Sequence, residues 1–177
     1  ATGADITIGG GAADSTDPLR PASNSQSSAG TAVTLGTSNS ENVVRIVSGS
    51  GDISIRGEAT AANAAHSGLR LKAGVKIIGG NVSLYGKNRA TSDSDNSSAG
   101  VFIYEDSTTA KTLIEATESS PDQSKIETRS IVGEITSGDF GVMLGNTGAA
   151  SNALDQVTLR ATGNLAGILI DGTSGKA

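Results

Sequence analysis

The chain lacks cysteine and tryptophan, and it contains only two Phe and two Tyr among 177 residues. The absence of cysteine excludes a disulfide framework, thiolate zinc ligands and thiol catalysis. Because aromatic side chains supply much of the bulk of an ordinary globular core, any core here must be aliphatic and thin. We therefore expect backbone pairing and stacking to supply most of the stability.

Positive charge and long apolar runs are also scarce. Lys and Arg number 13 against 18 Asp and Glu, and no basic stripe stands out, so nucleic acid is not an expected partner. The apolar runs are only a few residues long, far short of the ~20 that a membrane-spanning helix needs, so membrane insertion is not expected. On length alone, residues 1–177 fit a single domain.

Short strands with apolar residues at alternate positions recur along the chain, bounded by Gly, Asn, Asp or Ser. One family of segments reads polar, aliphatic, Ser or Thr, aliphatic, and a second reads Gly, aliphatic, any residue, aliphatic. The first family comprises 5–8, 52–55, 81–84 and 156–159, with 32–35 and 134–136 as looser members; the second comprises 68–71, 100–103, 141–144 and 167–170. From Asp52 onward the two families alternate, which indicates a structural repeat.

The spacing of these segments predicts the architecture. A third set of strands at 43–47, 75–78 and 125–128 precedes the first family in most repeats. Three strands per roughly 25–40 residues are typical of one coil of a parallel β-helix, and the length allows about five to six coils with variable loops. Ile53, Ile55, Val82 and Leu84 should point into the core.

Two segments do not fit the repeat. Residues 9–30 have no periodicity, and we interpret them as an extruded loop or a frayed region of the same domain. The segment 112–119 has some helical character but is too short for an assignment.

Segments 51–74 (GDISIRGEATAANAAHSGLRLKAG) and 79–106 (GGNVSLYGKNRATSDSDNSSAGVFIYED) resemble the repeats of filamentous haemagglutinins and high-molecular-weight adhesins. These are large exoproteins that Gram-negative bacteria secrete by the two-partner route. Strands of the types G-[DN]-[IV]-[ST]-[IL]-x-G and S-x-G-[VIL]-x-[IL] follow each other through their right-handed β-helix. The resemblance covers residues 43–173 and, more weakly, 1–42.

The resemblance implies an all-β, right-handed parallel β-helix located on the bacterial outer surface or secreted. Because the Asn-Pro-rich motifs of the family's secretion domain are not found, it implies an internal segment of the shaft, exported through an outer-membrane transporter. The expected function is non-enzymatic: a rigid shaft that contacts surface glycans or proteins of a host or of bacteria, or matrix polysaccharide. End-to-end stacking of copies is a further expectation.

Two other functions stay open. A polysaccharide-active β-helix, such as a lyase or a tailspike, would have the same architecture, although it usually carries aromatic side chains for sugar stacking, and this chain has few. The same repeats would also serve as the shaft of a contact-dependent inhibition toxin.

The best candidate for a contact surface is the loop TSDSDNSS. Its polar residues are Thr91, Ser92, Asp93, Asp95 and Asn96. We favour a solvated loop, while a weak calcium site formed by Asp93 and Asp95 and a pair of catalytic carboxylates remain alternatives. No cofactor is expected.

Other candidate groups are isolated along the chain. The further carboxylates considered are Glu105, Asp106, Glu115, Glu118 and Asp122, and the single histidine is His66. No motif of a nucleophilic enzyme accompanies His66, so a loop residue without a catalytic role is favoured.

Two N-x-[ST] sequons, at Asn81 and Asn96, are possible glycosylation sites. Asn96 lies in the loop TSDSDNSS and is the better acceptor, whereas Asn81 is predicted to turn a corner between strands.

Overall fold

The computed structural model describes residues 3–9, 22–24, 31–36, 43–60, 67–89, 99–103, 111–117, 130–135, 140–144, 157–162 and 169–173. Within those ranges every regular element is a β-strand and none is a helix. In chain order the strands are β1 (Ile6–Ile8), β2 (Ala22–Asn24), β3 (Val33–Leu35), β4 (Arg45–Val47), β5 (Ile53–Ala59), β6 (Ser67–Leu71), β7 (Lys76–Gly79), β8 (Val82–Asn88), β9 (Ala99–Ile103), β10 (Thr112–Ala116), β11 (Ser130–Ile135), β12 (Phe140–Leu144), β13 (Val157–Ala161) and β14 (Leu169–Thr173).

The strands form three parallel sheets. Sheet A has the order β1-β5-β8-β11-β14, with β2 also paired to β5; sheet B has the order β3-β6-β9-β12, and sheet C the order β4-β7-β10-β13. From β3 onward the chain visits sheets B, C and A in strict rotation, so each strand pairs with the one three places further along. The prediction of an all-β chain with stacked parallel strands is confirmed at this level.

Residues at equivalent positions of successive strands stack in register and form aliphatic columns. The predicted inward residues Ile53, Ile55, Val82 and Leu84 are all buried, which confirms the expected inward face of sheet A. The columns are Ile6-Ile53-Val82 and Ile8-Ile55-Leu84 in sheet A, Val33-Leu69-Val101-Val142 and Leu35-Leu71-Ile103-Leu144 in sheet B, and Ile46-Ile77-Ile114-Leu159 in sheet C. One hydrophobic cluster contains members of all three sheets.

Four sequence motifs lie elsewhere than their families predict. The segment at 32–35 contributes β3 to sheet B and that at 156–159 contributes β13 to sheet C, although their family otherwise builds sheet A. The motif at 167–170 enters sheet A through β14 rather than sheet B, and Glu134 aligns with Lys87 rather than with Asn81. A short alternating motif encodes which side chains point inward but suits the inward face of any sheet, so motif type alone does not decide which sheet a strand joins.

Three further segments can be placed. The undecided segment at 112–119 contains a strand, β10, that joins sheet C. Within residues 9–30, which were predicted to lack regular structure, Ala22–Asn24 pairs with the end of β5. The expected strand at 125–128 lies outside the described residues.

Candidate functional site

The edge where strands of sheet A end and strands of sheet B begin is here called the A–B edge. The chain crosses it between β5 and β6, between β8 and β9, and between β11 and β12, with connections of seven, ten and four residues. The strands on either side keep their register across the same three repeats. Sequence variation is therefore concentrated in what the connections carry.

Pairs of glycines bring the two sheets together at this edge. A Cβ atom added to any of the sheet A glycines would overlap the carbonyl oxygen of the glycine opposite it in sheet B, so no larger residue fits without a backbone shift. Each connection therefore begins and ends beside a point of fixed, close approach. The pairs are Gly57 with Gly68, Gly86 with Gly100, and Gly133 with Gly141.

Polar contacts anchor the chain where the ten-residue connection leaves sheet A. The backbone N–H of Arg89 donates to the carbonyl oxygen of Ala59 at 2.8 Å, which extends the pairing of β5 with β8 by one residue. The Arg89 guanidinium also donates through Nε to the carboxylate of Glu58. On either side of the connection Asn88 and Ala99 are buried, so its base is fixed to the sheets.

The predicted contact loop itself lies outside the described residues. This applies to Thr91, Ser92, Asp93, Asp95 and Asn96, so the proposed ligand contact, calcium site and glycosylation at Asn96 stay predictions. The structure places only the two flanks of the loop, Arg89 and Ala99. The other candidates outside the described ranges are His66, Glu105, Asp106, Glu118 and Asp122.

One candidate carboxylate is described, and it is engaged in an ion pair. Glu115 on β10 accepts a hydrogen bond at Oε2 from Nη2 of Arg160, its register partner on β13, at 2.9 Å. Across the described ranges, no group of three or more His, Cys, Asp or Glu side chains is arranged to hold a metal ion. Glu115 therefore acts as a link between strands of sheet C.

A ladder of polar side chains precedes the first three long strands of sheet A, and sequence reasoning missed it. Asp5 accepts the backbone N–H of Asp52 at 2.9 Å. Asp52 in turn accepts the backbone N–H and the side-chain amide of Asn81, at 3.3 and 2.7 Å. The signal was available, because these residues occupy the polar first position of one motif family.

This ladder fixes the environment of the sequon at Asn81. The side chain is only 2% exposed, and its amide nitrogen is the one that donates to Asp52. Glycosylation at Asn81 would require that same buried nitrogen. The residue lies at the start of β8, next to the corner where sequence analysis placed it.

Arginine side chains cover two of the aromatic rings. The guanidinium of Arg56 lies 4.8 Å from the ring centroid of Tyr85, and that of Arg70 lies 5.2 Å from the ring of Phe102. In each pair the two residues are register partners on adjacent strands. Phe102 is fully buried although it alternates with the inward residues of β9, so its ring is a packing element rather than an open platform for a sugar.

Comparisons of the chain with protein-family models, with curated proteins and with solved structures found no match. In the part of the chain that the structure describes, no helix has the length and apolar character to cross a membrane. A function must therefore be argued from the geometry of the sheets and of the A–B edge.

Proposed function

We propose that the chain forms a segment of a right-handed parallel β-helix, with sheets A, B and C as three faces around one aliphatic core. The strict rotation of the chain through the three sheets supports this arrangement, as does the single cluster that joins their inward residues. A right-handed turn follows from the strong preference of crossover connections between parallel strands. The described strands supply four coils and the first strand of a fifth, compared with the five to six expected from the sequence.

The function that this geometry supports best is that of a rigid shaft with a polar contact surface, in a secreted adhesin or filament of the bacterial surface. The observation that carries the proposal is the combination of constant strand register with connections of variable length at one edge. Because successive coils would be ~4.8 Å apart, the connections would form a row along the shaft. Such a row suits binding to extended partners, namely glycans, matrix polysaccharide or surface proteins.

The described carboxylates favour a structural role over a catalytic one. Asp5 and Asp52 accept backbone N–H groups from the next strand, and Glu115 pairs with an arginine. A general acid or base must instead be able to reach a substrate atom. The proposal is thus of a non-enzymatic segment that reaches the cell surface through an outer-membrane transporter.

Replacing a loop with a shorter one from the same chain tests the proposal. Residues 90–98 are exchanged for the sequence Thr-Ser-Gly-Asp, which spans residues 136–139 at the same edge. Arg89 is retained because it binds Glu58 and Ala59. We expect an unchanged melting temperature together with loss of binding to immobilised surface glycans and matrix polysaccharide.

The matched control carries the same four residues in place of residues 61–66, the connection of the preceding repeat. This variant should melt and bind like the parent chain. Equal binding by all three proteins would remove the loop TSDSDNSS from the contact surface. Cleavage of a polysaccharide by the parent chain would replace the shaft proposal with that of a polysaccharide-active enzyme.

A further inference from the structure

The two ends of the stacked sheets present strand edges with which no described strand pairs. At the end called lower, these edges belong to β1 with β2, to β3 and to β4; at the upper end they belong to β14, β12 and β13. The aliphatic columns run the full distance between the ends. Their terminal members are only partly buried, and these are Ile8, Leu35 and Ile46 below and Val142, Leu144 and Leu159 above.

Exposed large apolar side chains lie at these same ends. Val43 and Val47, next to and within β4, are 51% and 46% exposed. Leu169 and Ile170, the first residues of β14, are 48% and 45% exposed, and Phe140 on β12 is 39% exposed. Edge strands that carry apolar side chains readily pair with another chain.

We propose that the two ends bind each other, so that a second copy of the chain stacks head to tail on the first with a one-third turn about the common axis. The inference rests on the proposed β-helix, because it requires the three sheets to surround one axis. Counting the pair β1 and β2 as one level, sheet A is five strands deep and sheets B and C are four deep. The upper end is therefore stepped, with sheet A one strand ahead of the others.

This step determines the angle between copies. A copy placed without rotation would pair β1 with β14 and leave a gap of one strand above β12 and above β13. After a one-third turn, β1 with β2 meets β12, β3 meets β13, and β4 meets β14. All three edges then pair, because the second copy continues the order in which the chain visits the sheets.

The apolar residues support the same angle independently. The one-third turn brings β4 against β14, and these two strands account for four of the five large apolar side chains that are exposed within the described ranges. Without rotation, β4 would face β13 and β14 would face β1. Because the lower end binds the upper end and not itself, the interface is heterologous and the assembly grows as an open filament.

Complementary blocking variants test the interface. Ile170→Asp blocks the upper end and Val47→Asp the lower end, and Leu169→Asp provides a second upper block at an outward position. We expect the parent chain to form concentration-dependent oligomers in sedimentation velocity experiments. Each variant alone should be monomeric, and an equimolar mixture of an upper-end variant with Val47→Asp should form a dimer and nothing larger, because one intact interface remains.

Two outcomes would overturn the proposal. The first is a parent chain that stays monomeric at every concentration, and the second is dimerisation of Val47→Asp alone, which would mean that like ends pair. Far-UV circular dichroism separates this inference from the proposed function. A monomer with an intact β-sheet spectrum refutes only the stacking, whereas a parent chain without that spectrum refutes the β-helix itself.

Introduced cysteines measure the rotation, because the chain has none of its own. Thr7 on β1 and Leu169 on β14 share a register position in sheet A, so the pair Thr7→Cys and Leu169→Cys would cross-link unrotated copies. The pair Thr7→Cys and Met143→Cys joins β1 to β12 and should cross-link copies related by a one-third turn. Cross-linking of the first pair and not the second would overturn the rotation.

Discussion

Replacing Gly86 with alanine should destabilise the protein by about 2 kcal/mol, because this residue sits at the close approach between sheets A and B. The added Cβ would overlap the carbonyl oxygen of Gly100 and lie 2.8 Å from Cγ2 of Val101. Both strands are held between neighbours, since β8 pairs with β5 and β11 and β9 pairs with β6 and β12. Relief therefore requires a backbone shift that disturbs two sheets together.

The magnitude follows from two opposing effects. Overpacking of a filled interior costs ~1–3 kcal/mol, and the upper value applies because the opposing atom belongs to the backbone. Replacing glycine with alanine also restricts the unfolded chain, which stabilises the folded state by ~0.4–1 kcal/mol. The difference of about 2 kcal/mol corresponds to a decrease of about 4–8 °C in melting temperature for a chain of this length.

Gly172 provides the matched control. It occupies the same register position on β14, at the upper end of the ladder that contains Gly86. There the nearest atom to an added Cβ is the backbone nitrogen of Val142 at 3.2 Å, so a small adjustment is enough. Gly172→Ala should change the free energy of unfolding by less than about 0.5 kcal/mol, because the mild crowding offsets the entropic gain.

Urea denaturation followed by circular dichroism measures both variants, with the parent chain alongside. The midpoint should fall for Gly86→Ala and stay near that of the parent for Gly172→Ala. Equal midpoints for the two variants would refute the close approach of sheets A and B at the glycine pairs.

Two further predictions concern the core and the polar ladder. Ile55→Asp places an unpaired charge in a fully buried column and should cost several kcal/mol, whereas Asp93→Ala in the loop should be near neutral; equal melting temperatures for the two would contradict the inward face assigned to sheet A. Asp52→Ala removes the acceptor of two Asn81 N–H donors and should cost ~1–3 kcal/mol in the free energy of unfolding, while Asp52→Asn keeps an acceptor oxygen and should restore most of that loss; a variant Asn as unstable as Ala would show that the hydrogen bonds are not what matters.

The inward faces could be predicted from the sequence because alternation is a local property. Ile53 and Ile55, like Val82 and Leu84, are separated by one polar residue, and a strand of that pattern has only one apolar face to bury. The sheet that a strand joins depends instead on its neighbours in space. That is why Val33–Leu35 and Val157–Leu159, with the same residue pattern, lie in sheets B and C.

Much of the candidate site was beyond prediction for a related reason. Glu115 was considered as a catalytic carboxylate, but its role is decided by Arg160, 45 residues away in sequence and adjacent only once the strands are in register. Asp52 and Asn81 are likewise 29 residues apart. The residues of the loop TSDSDNSS have no periodic pattern, so composition was the only guide to their role.

The fixed approach at each glycine pair makes the scaffold tolerant of inserted sequence. A connection that starts and ends at the same short gap changes the folding free energy mainly through the entropy of loop closure. Extending it from four residues, as between β11 and β12, to ten, as between β8 and β9, costs only about 0.8 kcal/mol by that measure. Selection is therefore free to exchange one recognition peptide for another in a single coil, and neighbouring coils retain their hydrogen bonds and their stability when it does.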